Sequence, residues 1–349
     1  MPLHAVTVLL ALLVSPAALA GLPEEPTGAP CPQLPNHPGL ACASTSQGWF
    51  YAGDADTAAD IAADAAQAAG DFERYFGRPA QRGAVVAAGS SAVPDATTFD
   101  MLRQAGARWA LPWLDEQERR EVQRSVVERT LREQMPEADD ARIAAMLEQA
   151  LPSAPPASGD STDRSALRHE IGHMLLIRAF WPDNGEDDGG ERPFQYGGPG
   201  PDWLDEAAAV LMEGPAMAAR RLDMLASDEA GTHLQPLPDF LAAAHPMLEQ
   251  LDAARAGSTG NGPSITIASG EEAQRMADGA QWFYTQARAF AGFLIETSDR
   301  PGVLGEVAAH IAAGGDMEGW LAGHGAAHGL PESLPALDLA WKEWLAGRH

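Results

Sequence analysis

Two histidines four residues apart, with a glutamate directly after the first, stand in the segment His169-Glu170-Ile171-Gly172-His173. On an α-helix, side chains at i and i+4 differ by about 40° around the axis and about 6 Å along it. Both imidazoles can then reach one tetrahedral Zn²⁺, while Glu170 projects to the side, where a carboxylate can take a proton from a water activated by the metal. A zinc site that does chemistry needs a third protein ligand and an open fourth position.

The surrounding residues predict the helix. Leu167, Ile171, Met174 and Leu175 recur at i, i+4, i+7 and i+8, an apolar stripe that faces a core. Asp160, Ser161 and Thr162 are candidate N-caps, and Pro182 ends the pattern after Phe180-Trp181. The plain alternative is two ordinary histidines on a helix flank with Glu170 in water.

Thirty-three residues after His173 (206 − 173) stands Glu206, in Pro201-Asp202-Trp203-Leu204-Asp205-Glu206-Ala207-Ala208-Ala209-Val210. Here the chain resembles the gluzincins, the MA-like zinc metallopeptidase superfamily, whose second helix carries a W-L-x-E-G-hydrophobic-A segment. The resemblance makes Glu206 the third metal ligand, with Trp203 and Leu204 as the packing residues before it and Ala207 in place of the usual glycine. Asp205 and Asp202 are the next candidate ligands, and a surface glutamate on an amphipathic helix is the plain alternative for Glu206.

The likeness extends loosely over residues 45–349, to an exported branch of the superfamily with a helical C-terminal half. Its aromatic patterns correspond to Tyr284…Phe290…Phe293-Leu294-Ile295 and to Leu337…Trp341…Trp344-Leu345. The G-x-M-E-N and N-E-x-x-S-D segments of the two best-known subfamilies are absent, so no substrate specificity carries over. Gluzincins often place a tyrosine or histidine from the C-terminal half beside the developing oxyanion. Tyr284, the only one of the four tyrosines after the ligand helix, is the candidate. Packing beside Trp282 and Phe283 is its plain alternative.

The resemblance implies an α+β, zincin-like fold with a zinc cleft between two lobes. A small α/β lobe is expected over about 47–180 and a mostly helical lobe over about 181–349. Gly48–Gly53, Gly83–Ala88 and Trp109–Leu114 read as strands, the last limited by Pro112 to an edge. Thr57–Tyr75, Glu116–Gln134 and Ala138–Leu151 read as helices, and 152–160 as a linker.

Residues 1–20 read as a signal peptide. An apolar stretch from Ala5 to Leu19 precedes Ala18-Leu19-Ala20, an A-x-A cleavage pattern, so cleavage after Ala20 is expected. This predicts a secreted or periplasmic protein with no stable membrane anchor. Residues 21–46 read as a Pro-rich arm, and Cys31 and Cys42, the only cysteines, as a disulfide within it. The net charge of −26 lies wholly after residue 20 and repels nucleic acid and anionic surfaces.

The expected activity is hydrolysis of peptide bonds in a peptide or protein substrate. Zn²⁺ would sit on His169, His173 and Glu206, with Glu170 as general base. The same residues would serve a zinc hydrolase of a non-peptide amide, and a non-catalytic interaction protein that kept the scaffold is the rival from another class. Three lesser features complete the sequence. The acidic loop 183–189 is a weak calcium candidate. His324 and His328 repeat the i, i+4 spacing and read as surface residues, with an accessory metal site as the alternative. Gly257–Gly262 reads as a flexible loop.

Overall fold

The computed structural model describes residues 28–89, 94–151, 159–182, 198–227, 230–246 and 271–348. The expected signal segment, the acidic loop 183–189 and the 257–262 loop lie outside the described residues.

A four-stranded sheet forms the N-terminal part, in the order β1 (Ala41–Thr45), β2 (Gly48–Ala52), β3 (Gly83–Val86), β4 (Trp109–Pro112). β1 and β2 make an antiparallel hairpin, and β2, β3 and β4 run parallel. The parallel steps require crossovers, which α1 (Ala55–Phe76) and α2 (Ala96–Gln104) supply. Because alternate strand residues point to opposite faces, Phe50, Val85 and Leu111 face α1 and the main core. Trp49, Tyr51, Ala84 and Val86 face Phe99 and Leu102 of α2 and Leu34 of the arm. Strand β1 was not expected; residues 41–45 belong to the sheet rather than to a loose arm.

The arm is pinned by side chains reaching from the sheet. Cys31 and Cys42 are disulfide-bonded. Trp49 Nε1 donates to Ala29 O at 3.0 Å, and the Tyr51 hydroxyl donates to Pro32 O at 2.8 Å.

Helix α1 starts where Asp54 accepts from the Thr57 amide at 2.9 Å and stops at Gly77, whose φ of 63° permits the left-handed cap. The amphipathic helices α3 (Glu116–Gln134) and α4 (Asp140–Ala150) pack on each other through Val127, Leu131, Ile143 and Leu147, a cluster apart from the main core. Asp115 and Glu118 form a reciprocal capping box at the start of α3.

The main core runs through the rest of the chain. α5 (Gly159–Phe180) packs on α6 (Asp202–Met212) and α1. Beyond α6 come α7 (Pro215–Leu225), two short helices α8 (Ala230–His233) and α9 (Leu237–Ala242), then the long α10 (Glu271–Ser298). α11 (Val303–Ala312), α12 (Met317–His324) and α13 (Leu334–Ala346) complete the chain. Trp341 of α13 meets Phe290 and Phe293 of α10 edge-on, with ring centroids 5.9 and 5.6 Å apart. One hydrophobic cluster contains Phe50, Phe72, Ile171, Trp203, Phe290 and Trp341, so strands, α5 and the C-terminal helices share a core. The architecture is α+β and mostly helical.

Two expectations are corrected. α5 begins at Gly159, inside the span read as linker, so Asp160, Ser161 and Thr162 lie within the helix rather than before it. His324 ends α12 and His328 ends the 3₁₀ turn that follows, so the two do not share one α-helical face. His328 is buried, with Nε2 3.0 Å from Glu306 Oε2 and its ring against Trp320, and is not a surface residue.

Candidate metal centre

The histidine helix is held from both sides. Leu167, Ile171 and Leu175 are buried in the main core. Toward α1, Arg164 Nε pairs with Asp64 Oδ2 at 2.8 Å, and Arg168 Nη2 with Asp71 Oδ2 at 3.1 Å. Toward α6, the approach is very close. A Cβ built on Gly172 would stand 2.7 Å from Ala209 Cα and 2.9 Å from Ala208 O. The Gly172 position and the small residues Ala208 and Ala209 let the two backbones come within reach of each other. That approach brings Glu206 of α6 against His169 and His173 of α5.

The three side chains are buried and converge. His169 Nε2 and His173 Nε2 are 3.3 Å apart. Glu206 Oε2 lies 3.4 Å from His169 Nε2, and Glu206 Oε1 lies 3.8 Å from His173 Nε2. Two nitrogens bound tetrahedrally at 2.0–2.1 Å from Zn²⁺ would lie about 3.3 Å apart. The donor set and its spacing therefore fit a metal ion. Among the described residues this is the only group of three or more His, Cys, Asp or Glu side chains so arranged.

The outer nitrogens are also engaged. His169 Nδ1 is 3.0 Å from Glu213 Oε1. Glu213 in turn accepts Arg221 Nε at 2.6 Å and Arg221 Nη2. His173 Nδ1 lies 3.0 Å from Asp205 Oδ1. A carboxylate on the far nitrogen fixes the tautomer and turns the Nε2 lone pair toward a cation.

Electrostatics agree with a cation site. Burial alone would push the His169 pKa down, but Glu206 and Glu213 outweigh it and raise the value to about 10. Burial likewise opposes the charge on His173, yet Asp205 and Glu206 raise it to about 9. Burial would raise Glu206, but His173 and His169 bring it down to about 2. The carboxylates thus favour positive charge at this spot, which protonated imidazoles or a metal ion could supply.

The runner-up ligands are placed elsewhere. Asp205 sits on the outer nitrogen of His173, and Asp202 Oδ2 accepts the backbone N–H of His245 at 2.6 Å. Glu170 is half-buried on α5 next to His169.

Tyr284 of α10 is partly buried, packs against the main core and also stands at the wall of the site. Its ring centroid is 5.3 Å from that of His169, edge to face, and 5.3 Å from that of His245, stacked at 28°. The Arg221 guanidinium carbon lies 5.0 Å from the centroid of the Tyr284 ring, over its face.

His245 was not anticipated. It is 1% exposed, and its Nε2 is 3.5 Å from Glu206 Oε1. Burial holds its pKa below the ordinary histidine range. No spacing rule links it to α5 or α6, so nothing in the sequence marks it. Glu213 and Arg221 were missed for the same reason.

No family model, no curated protein and no solved structure matches this chain.

Proposed function

We propose that the protein is a zinc-dependent hydrolase of the gluzincin type, acting on peptide bonds. The observation that carries this is the convergence of His169, His173 and Glu206, with Glu170 beside the first histidine and carboxylates on both outer nitrogens. A set of two histidines and one glutamate leaves a coordination position open, as a hydrolytic site requires and a purely structural site does not.

When bound, Zn²⁺ would supply a Lewis acid that polarises the scissile carbonyl. Glu170 takes the proton from the attacking water as its oxygen bonds to the carbonyl carbon. The C–N bond then breaks, and Glu170 returns the proton to the leaving amine. Tyr284 donates to the developing oxyanion from the wall of the site. His245 lies near enough to Glu206 to compete for that role, and a histidine from this part of the chain also suits the resemblance.

The Cys31–Cys42 disulfide suits an exported protein, since such bonds persist in oxidising compartments. Among the described residues no helix is long and apolar enough to cross a membrane. The test is cleavage of a peptide library and a panel of non-peptide amides by the zinc-loaded protein. Peptide hydrolysis that falls at least about 10²-fold in Glu170→Gln, with zinc content unchanged, supports the reading. Equal cleavage by that variant overturns it, and activity confined to the amides moves the substrate class.

A further inference from the structure

We infer that Arg221, acting through Glu213, is a positioning residue for the metal ligand His169 and ties that ligand to Tyr284 on the opposite wall. The inference rests on the metal-site reading above. It concerns residues that no spacing motif supplies.

The two outer-nitrogen carboxylates are anchored differently. Asp205 is the neighbour of Glu206 on α6, so the helix that delivers the third ligand also delivers the partner of His173. Glu213 lies past the last turn of α6, at the corner that leads into α7. A carboxylate at a helix corner has no helical neighbour to fix its rotamer. Arg221 does so: Nε and Nη2 both donate to Glu213, one to each oxygen, and this fork sets the carboxylate plane. The oxygen that receives Nη2 is the one facing His169 Nδ1.

Arg221 is 5% exposed, so this pair is shielded from solvent. The guanidinium also lies over the Tyr284 ring. Tyr284 touches His169 edge-on, so Arg221 and Tyr284 enclose His169 and Glu213 from α7 and α10. A shift of Arg221 would therefore move both the ligand ring and the wall residue. Lysine can supply the charge but not the planar fork.

The experiment measures zinc affinity by chelator competition and the visible spectrum of the cobalt-substituted protein, for the parent, Glu213→Gln and Arg221→Lys. Asp64→Asn, which breaks the Arg164 pair elsewhere on α5, serves as a stability control. The expected result is a zinc Kd about 10–100-fold weaker in Glu213→Gln, the usual effect of losing such a partner. The cobalt bands should shift in Glu213→Gln, and Arg221→Lys should fall between that variant and the parent. Asp64→Asn should change the melting temperature without changing the Kd. If Glu213→Gln does not fold, Arg221→Lys, which keeps the buried charge, carries the test. Parental affinity and spectrum in both variants would overturn the inference while leaving the metal site in place. Weakening in Glu213→Gln with a wholly parental Arg221→Lys overturns the part assigned to Arg221. A parent protein that takes up no zinc brings down the metal reading and this inference together.

Discussion

Gly172 of the histidine helix faces Ala209 of the glutamate helix so closely that a Cβ on Gly172 would stand 2.7 Å from Ala209 Cα. The nearest obstacles include backbone atoms, which cannot rotate away. Gly172→Ala should gain up to about 1 kcal/mol of helix propensity, yet lose about 1–3 kcal/mol to overpacking. Stability should fall on balance, and the metal Kd should rise because α5 and α6 must part. Urea unfolding and chelator competition on the same variant check both. A more stable variant with parental affinity would show that the helices have room to spare.

Metal binding should release protons. With His169 at about 10 and His173 at about 9, both rings carry a proton near neutral pH, whereas Glu206 at about 2 is already ionised. Ligation needs both Nε2 atoms bare, so one proton should leave each ring, and affinity should climb with pH up to these values. In the cation-free protein the sign reverses. The raised histidine pKa values stabilise the fold fully below about pH 6.5, the unfolded value, and that contribution is lost as pH rises through 9 to 10. Calorimetry in buffers of different ionisation enthalpy counts the protons directly.

Removing the Tyr284 hydroxyl leaves its ring contacts with His169, His245 and Arg221 in place. If the hydroxyl serves the oxyanion, Tyr284→Phe should lower kcat by roughly 10–10³-fold, with zinc content and melting temperature little changed. His245→Gln tests the competitor. Unaltered turnover in Tyr284→Phe together with a large loss in His245→Gln would transfer the role.

Tyr51 predicts an alkaline transition. Burial pushes its pKa above the ordinary value of 10.0, and the protonated hydroxyl holds the arm through Pro32 O. The folded state keeps this proton while the unfolded chain gives it up, so stability should fall as pH rises past about 10. Tyr51→Phe should be less stable by about 0.5–1.5 kcal/mol at neutral pH, from the lost hydrogen bond, but should show a shallower decline above pH 10. Equal slopes in the two proteins would refute the assignment.

The elements legible in the sequence are those with local signals. α1 has a capping aspartate and a long apolar face, and β2 to β4 are short apolar runs, so each was recognised to within a few residues. β1, in Ala41–Thr45, is half-buried throughout and shows no alternation, and its identity comes from pairing with β2. α2 is nine residues long and largely polar, too short for its period to register. At the site the same division holds. His169 and His173 are neighbours by helix geometry alone, whereas Glu213 reaches His169 across 44 residues and His245 reaches Glu206 through tertiary packing. Such partners leave no periodic trace.

The contacts around the site close on themselves: His169 to Glu213, Glu213 to Arg221, Arg221 to Tyr284, Tyr284 to His245, His245 to Glu206, and Glu206 back to His169. A closed circuit of this kind has no early half. Its members come from α5, α6, the corner between α6 and α7, α7, α10 and the segment after α9, so the full circuit closes only once all of these have packed. Ion capture would then act as a late lock on the native state, adding stability that grows with free metal concentration.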